Sequence, residues 1–277
     1  MSIVACVKVY DGIVIGAESM TMLLANVPAV PAAPGGPVPV QQPMHIKSYS
    51  NAQKIFRIAD RNIGVLTYGG GNIGNRSMAS FVYEFSENES ALPADSDRSV
   101  QAVAERLLAH IRHHYDPAFA ALPEPQRPTI GFYIAGYSPG PDQHLGSEWE
   151  FVLPQAQAAT PARPGNAVGA SWRGVGLPFT RLFFGLDPRT DQILASLGMT
   201  PAAIVQFRQI AGAQLQSNVA FEGMPLEDAV GFCKFIIDTT IGMATYELGS
   251  PSCGGPVNIA VITRSCFRWV AEPKLPV

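Results

Sequence analysis

The sequence predicts an α+β fold in which helices cover antiparallel sheets. Two observations carry this. Strand-like and helix-like segments come in blocks: two strand pairs, two helices, more strands, more helices, then a strand. The first two strand-like segments are joined by "DG" at 11–12, the signature of a tight antiparallel hairpin. No internal repeat and no clear linker breaks the chain, so residues 1–277 read as one domain.

The elements follow in order. "SIVACVKV" (2–9) is a strand, and "IVIGAES" (13–19) is its partner. "NVPAVPAAPGGPVPVQQPMH" (26–45) is rich in proline and glycine. Its prolines remove backbone donors and fix φ, so it is an inserted loop or extended arm, not a central strand or helix. "KIFRIAD" (54–60) and "NIGVLTYG" (62–69) form a second strand pair. "GGGNIGNRSMASFVYEFSEN" (69–88) starts glycine-rich and becomes an amphipathic helix. A second helix covers 99–115 with Ser99 as its cap. Strands follow at 129–138, 148–154 and 165–171. A helix at 177–186, an irregular helical segment at 188–219 and a long helix at 225–248 precede a closing strand at 256–263.

A 277-residue chain that is 47% hydrophobic can bury a substantial core. A net charge of −3 offers no footprint for nucleic acid or an anionic membrane. No apolar run approaches the length of a membrane span. The start lacks the basic, apolar and small-residue regions of a secretory signal, so a cytoplasmic location is expected. Cys6, Cys233, Cys253 and Cys266 lack metal-ligand spacing and read as mostly buried small apolar residues. No metal or cofactor is expected.

The chemistry starts at Ser2. Methionine before a small residue is commonly removed, and that would give Ser2 both a hydroxyl and a free α-amine. Such an amine has an ordinary pKa of about 7.7–8.0 and can act as a base without histidine. A hydroxyl nucleophile served by its own amine is a known solution to acyl transfer. Glu18 ends a nearly all-apolar strand, where a carboxylate is costly to bury unless paired. Lys54 opens another apolar strand. A Glu18–Lys54 pair beside the Ser2 amine accounts for both, although such a pair is ordinarily a structural salt bridge. "YGGGNIGN" (68–75) follows a strand and opens a helix, where backbone N–H groups can hold an oxyanion. Elsewhere, Glu148 and Glu150 alternate on one strand face opposite Trp149 and read as a solvated edge. His113 and His114 sit late in a helix, away from this group.

These stretches, with "SVQAVAERLLAHI", "FYIAGY", "AVGAS", "PLEDAVGFCKFII" and "GGPVNIAVIT", resemble in order the proteasome β-type subunits and their bacterial homologues, which are N-terminal-nucleophile hydrolases. The resemblance implies a four-layer αββα sandwich with two antiparallel sheets. It places the nucleophile at Ser2, its supporting carboxylate at Glu18, the catalytic lysine at Lys54 and the oxyanion N–H at Gly69. It places the substrate pocket at Thr21, Ala52, Thr67 and Gly71, none of them charged, which implies apolar or small substrate side chains. The departures are also specific. Serine replaces threonine, and glutamate replaces aspartate. The family's "GSG" reads "GAS", with Ser171 beside the expected position. Its Asp-x-x-Ser-Gly reads Ser250-Pro-Ser-Cys253-Gly254. Ser171, Ser250, Ser252 and Cys253 are therefore candidate replacements.

The implied activity is hydrolysis of peptides or unfolded chains inside stacked homo-oligomeric rings; an unfoldase ATPase partner is left open. Two other readings follow from the departures: a ring-forming scaffold of little activity, or an amidase or transpeptidase acting on a small amide.

Overall fold

A computed structural model describes residues 2–26, 43–140 and 145–273. In chain order the strands and helices are β1 (Ile3–Val9), β2 (Gly12–Glu18), β3 (Thr21–Asn26), β4 (Pro43–Tyr49), β5 (Ile55–Arg57), β6 (Ile63–Gly69), β7 (Asn72–Ile73), β8 (Arg76–Ser77), α1 (Met78–Ser90), α2 (Val100–Ala118), β9 (Ile130–Gly136), β10 (Ser147–Leu153), β11 (Thr160–Pro161), β12 (Gly169–Gly174), α3 (Leu177–Phe184), α4 (Thr190–Ser196), α5 (Pro201–Leu215), α6 (Leu226–Tyr246), β13 (Val257–Ile262) and β14 (Phe267–Ala271).

Two five-stranded antiparallel sheets dominate. One runs β12-β1-β2-β13-β14 and the other β11-β10-β9-β6-β5. The alternation of side chains along β1 sorts its residues onto two faces. Val4 and Cys6 join Ile13, Ile15, Leu66, Tyr133 and Ala260 in a cluster fed by both sheets. Ile3, Ala5 and Val7 pack on the other face with Phe179 of α3 and Cys233, Ile236 and Ile237 of α6. A third cluster joins Val65, Phe132 and Phe151 of the second sheet to Phe81, Val82, Val103, Leu107 and Ile111 of α1 and α2. Every residue of β1 and β2 is buried, as expected of strands covered on both sides.

Helix ends follow the side chains at hand. Ser99 caps α2 by accepting from the Ala102 N–H at 3.2 Å, and Thr200 caps α5 in the same way. The irregular segment expected at 188–219 contains α4 and α5.

Several expectations are corrected. "YGGGNIGN" does not open a helix: α1 starts at Met78, and β7 and β8 intervene around a turn at Gly74, whose φ is +57°. A glycine-rich run has too little helix propensity to nucleate one. The strand read at 165–171 lies at 169–174, because Pro164 to Ala167 form a turn closed by Ala167 N–H to Pro164 O at 2.9 Å. The ends of the Pro-rich insert, Asn26 and Pro43, pair in a two-stranded β3–β4 ribbon. Residues 27–42 of that insert lie outside the described residues. β14, not anticipated, is an edge strand with an alternating burial pattern.

The face read as a solvated edge is interior. Glu148 is 1% exposed. It accepts hydrogen bonds from Tyr133 Oη at 2.7 Å, Arg163 Nε at 2.9 Å and Cys6 Sγ at 3.2 Å, and lies 3.9 Å from Lys8 Nζ. Glu150 takes a two-pronged contact from Arg173 at 2.7 and 2.9 Å. Alternation identified one face of β10 correctly but assigned it to water, whereas the opposite sheet covers it.

Candidate active site

Ser2 precedes the first strand and is 4% exposed. Its carbonyl accepts from the Val175 N–H at 2.8 Å, which ties the chain end to the residue after β12. The approach is close: a Cβ at Gly174, whose φ is +88°, would fall 1.8 Å from Ser2 O. Only glycine fits there.

Glu18 closes β2 and Lys54 immediately precedes β5, and the two sheets bring them together beside Ser2. Glu18 is 0% exposed and Lys54 is 7% exposed. Lys54 Nζ donates to Ser2 Oγ at 3.0 Å, to Met20 O at 2.6 Å and to Glu18 Oε1. Three acceptors match the three N–H bonds of an ammonium. Glu18 Oε2 accepts from the Met20 N–H at 2.7 Å and the Gly254 N–H at 3.1 Å. The carboxylate is thus held at both oxygens, the condition under which a buried ion pair is tolerated. Burial pushes the Lys54 pKa down from its ordinary value, and the charge of Glu18 opposes that shift.

A cleft of about 320 Å³ opens over this group. Its wall includes Ser2, Lys54 and Gly69 together with Thr21, Ala52, Thr67 and Gly71. A Cβ on Gly71 would lie 3.3 Å from Thr21 Oγ1, so these two sit side by side. Thr67 Oγ1 is buried without a hydrogen-bond partner among the described residues. Met20, Met22 and Met78 give the cleft an apolar border. Gly69 has φ +89°, and a Cβ there would strike Thr129 O at 2.3 Å. The first residues of α1 reach the cleft because Met78 N–H bonds back to Gly71 O at 3.0 Å.

The replacement candidates are placed differently, with Ser252 partly buried. Ser171 pairs with Cys6 on β1, four residues from Ser2, or ~13 Å along a strand. Its hydroxyl accepts from Arg163 at 2.7 Å, so it belongs to the Glu148 network rather than to Ser2. Ser250 is exposed. Cys253 is buried beside Gly254, and burial, reinforced by the Glu18 charge, pushes its thiol up to about 11. It is a neutral thiol near pH 7, able to hydrogen-bond but not to act as a thiolate.

The described structure resembles that of Anbu (ancestral beta-subunit) from Yersinia bercovieri, with a TM-score of 0.50 at 11% identity over 99% of this chain and 88% of that one. The likeness is one of fold. It identifies a distant proteasome-like fold and no particular family. No protein-family model matches the chain, and no curated protein matches it. The membership in the proteasome β-type subunits expected from the sequence motifs is therefore corrected: the similarity reaches the architecture and stops there. Among the described residues no helix is long and apolar enough to cross a membrane.

Sequence reading missed the backbone partners of the site. Met20 supplies both an N–H to Glu18 and a carbonyl to Lys54, and Gly254 supplies the second N–H. Ser19 Oγ lies 2.8 Å from Ser50 O and 2.7 Å from Pro256 O, joining the two segments that frame the site. A buried carboxylate at a strand end needs donors, and the residues following it are the nearest source.

Proposed function

We propose that this chain is an N-terminal-nucleophile hydrolase that cleaves peptide bonds in peptides or unfolded chains, with Ser2 as nucleophile after removal of Met1. The observation that carries the reading is the hydrogen bond from Lys54 Nζ to Ser2 Oγ at 3.0 Å, made by a lysine whose other two protons are held by Glu18 and Met20 O. An ammonium at that distance favours the alkoxide of Ser2 and, as a like charge, favours the neutral form of a nearby α-amine.

In this mechanism Ser2 Oγ attacks the scissile carbonyl and its proton passes through a water to the Ser2 amine. The Gly69 N–H stabilises the oxyanion. Collapse breaks the C–N bond, and the leaving amine takes the proton from the Ser2 ammonium. A water, deprotonated by the same amine, hydrolyses the ester on Oγ. Glu18 positions Lys54 and offsets its charge. The cleft, bordered by methionines and lined by Thr21, Ala52, Thr67 and Gly71, suits an apolar or small side chain of the substrate.

The fold in this reading is one domain, a four-layer αββα sandwich. The three apolar clusters support it, since they alternate helices, sheet, sheet and helices. In this reading copies of the chain assemble into rings that admit unfolded chains and peptides; the name of the structural neighbour, a beta-subunit, supports assembly with other subunits and no more. Hydrolysis of fluorogenic peptides by the wild type and by Ser2→Ala and Lys54→Ala tests the reading. Loss of turnover in both variants supports it, and unimpaired turnover in either refutes it.

A second reading, a scaffold of the same fold with little activity, is favoured by one observation. Ser250, which stands where the resemblance expects an aspartate, is exposed, so the amine gains no carboxylate there. Retention of Met1 with no peptide turnover would support it.

A further inference from the structure

We propose that Glu84, His110 and His114 form a binding site for a divalent transition metal, Zn²⁺ being the best match. The site joins α1 to α2 and is independent of the hydrolytic reading. Glu84 lies on α1, and His110 and His114 are one turn apart on α2. That four-residue spacing puts both imidazoles on the helix face turned toward α1. Each of the three side chains can offer one ligand atom, and these atoms lie within 4.8 Å of one another. All three residues are half-buried.

Two contacts around the group suit a metal. The His110 Nε2 lies 3.1 Å from the Phe81 carbonyl oxygen. A carbonyl can only accept, so Nε2 carries the hydrogen and the lone pair of the neutral ring is on Nδ1. Donation of the second ring N–H to a backbone carbonyl is the usual way a protein orients a metal-binding histidine. On the carboxylate, Arg76 binds Glu84 Oε2 at 2.5 Å, while Oε1 faces His114 Nε2 at 3.9 Å. One oxygen is thus oriented by an arginine and the other points at the imidazole.

Two imidazoles and a carboxylate with a fourth position open to solvent is a donor set that Zn²⁺ accepts, with bonds of about 2.0–2.2 Å. The ligand atoms must close by an ångström or two, which takes small torsional adjustments of both imidazoles as well as of the Glu84 side chain. The metal would clamp α1 to α2, since Glu84 reaches it from one helix and both imidazoles from the other.

The test is equilibrium binding of Zn²⁺ to the full chain carrying Cys266→Ser, which removes the exposed thiol, together with thermal melting. The expected result is one equivalent bound and a melting temperature raised by about 5 °C at saturating metal. His114→Gln and Glu84→Gln should each weaken binding roughly tenfold or more, and His113→Gln should leave it unchanged. Circular dichroism checks that each variant is folded, and Co²⁺ absorption reports the ligand field in any variant that is destabilised. Absence of saturable binding, or equal loss in His113→Gln and His114→Gln, would overturn the assignment.

Discussion

Lys54 Nζ donates to Ser2 Oγ at 3.0 Å while the same ammonium is bound to Glu18 and to Met20 O. One side chain therefore links the strand-end carboxylate to the first hydroxyl of the sequence. Lys54→Met should lower kcat/KM for peptide hydrolysis by about 10³-fold or more, because it removes the charge that in the proposed mechanism activates Oγ. It should also destabilise the fold by about 3 kcal/mol, since Glu18 loses its buried cation but keeps two backbone N–H donors. Urea unfolding measures the second effect. A variant as active as the wild type would refute the role of Lys54.

Glu18→Gln tests the pairing through pH. Burial lowers the Lys54 pKa and Glu18 opposes that shift. Without the carboxylate charge the pKa falls further. In the proposed mechanism the active form needs Lys54 charged, so the alkaline limb of the kcat/KM profile should move to lower pH. The acid limb, which the same mechanism assigns to the Ser2 amine, should move less. An alkaline limb that stays in place or moves up would separate Glu18 from Lys54.

Gly69 answers a question of backbone shape. Its φ of +89° and the 2.3 Å approach of a Cβ to Thr129 O leave no room for a side chain. Gly69→Ala should cost roughly 2–4 kcal/mol and displace the N–H from the cleft. Gly74→Ala is the control. Its φ is also positive, but nothing lies within 4 Å of the added carbon, so the cost should be about 1 kcal/mol. Denaturant midpoints distinguish the two, and equal costs would show that φ alone is responsible.

Glu148→Ala should be among the more destabilising single changes in the molecule. It leaves Arg163 and Lys8 without their carboxylate and Tyr133 without its acceptor. A cost of about 3–5 kcal/mol is expected. Since the network joins β1 to β10 well away from Ser2, kcat/KM of the folded protein should stay within about threefold. Equilibrium unfolding and peptide turnover measured on the same preparation decide the matter.

Much of this was legible in the sequence because the signals are local. Asp11-Gly12 marked the first hairpin, Ser99 its helix cap, and Glu18 and Lys54 stood out as charges at apolar strand ends. The resemblance implied a site at Ser2, Thr21, Ala52, Thr67, Gly69 and Gly71, and all six line the one cleft. What was illegible depends on the packing of one sheet on another. Nothing in the alternation of β10 says whether Glu148 faces water or the opposite sheet, because both environments give the same period. Met20 and Gly254 act through backbone atoms, which any residue supplies. His110, His114 and Glu84 lie on two helices, and only the packing of α1 on α2 brings them together. The motifs also carried the family assignment too far: a fold shared at 11% identity does not transmit membership.

Intact-protein mass spectrometry of the purified chain after exposure to a β-lactone, an electrophile that acylates activated hydroxyls, tests the central claim most directly. The account predicts a chain lacking Met1 and carrying a single ester that maps to Ser2, with no adduct on Ser2→Ala. A chain that keeps Met1, or an adduct on any other residue, would contradict it.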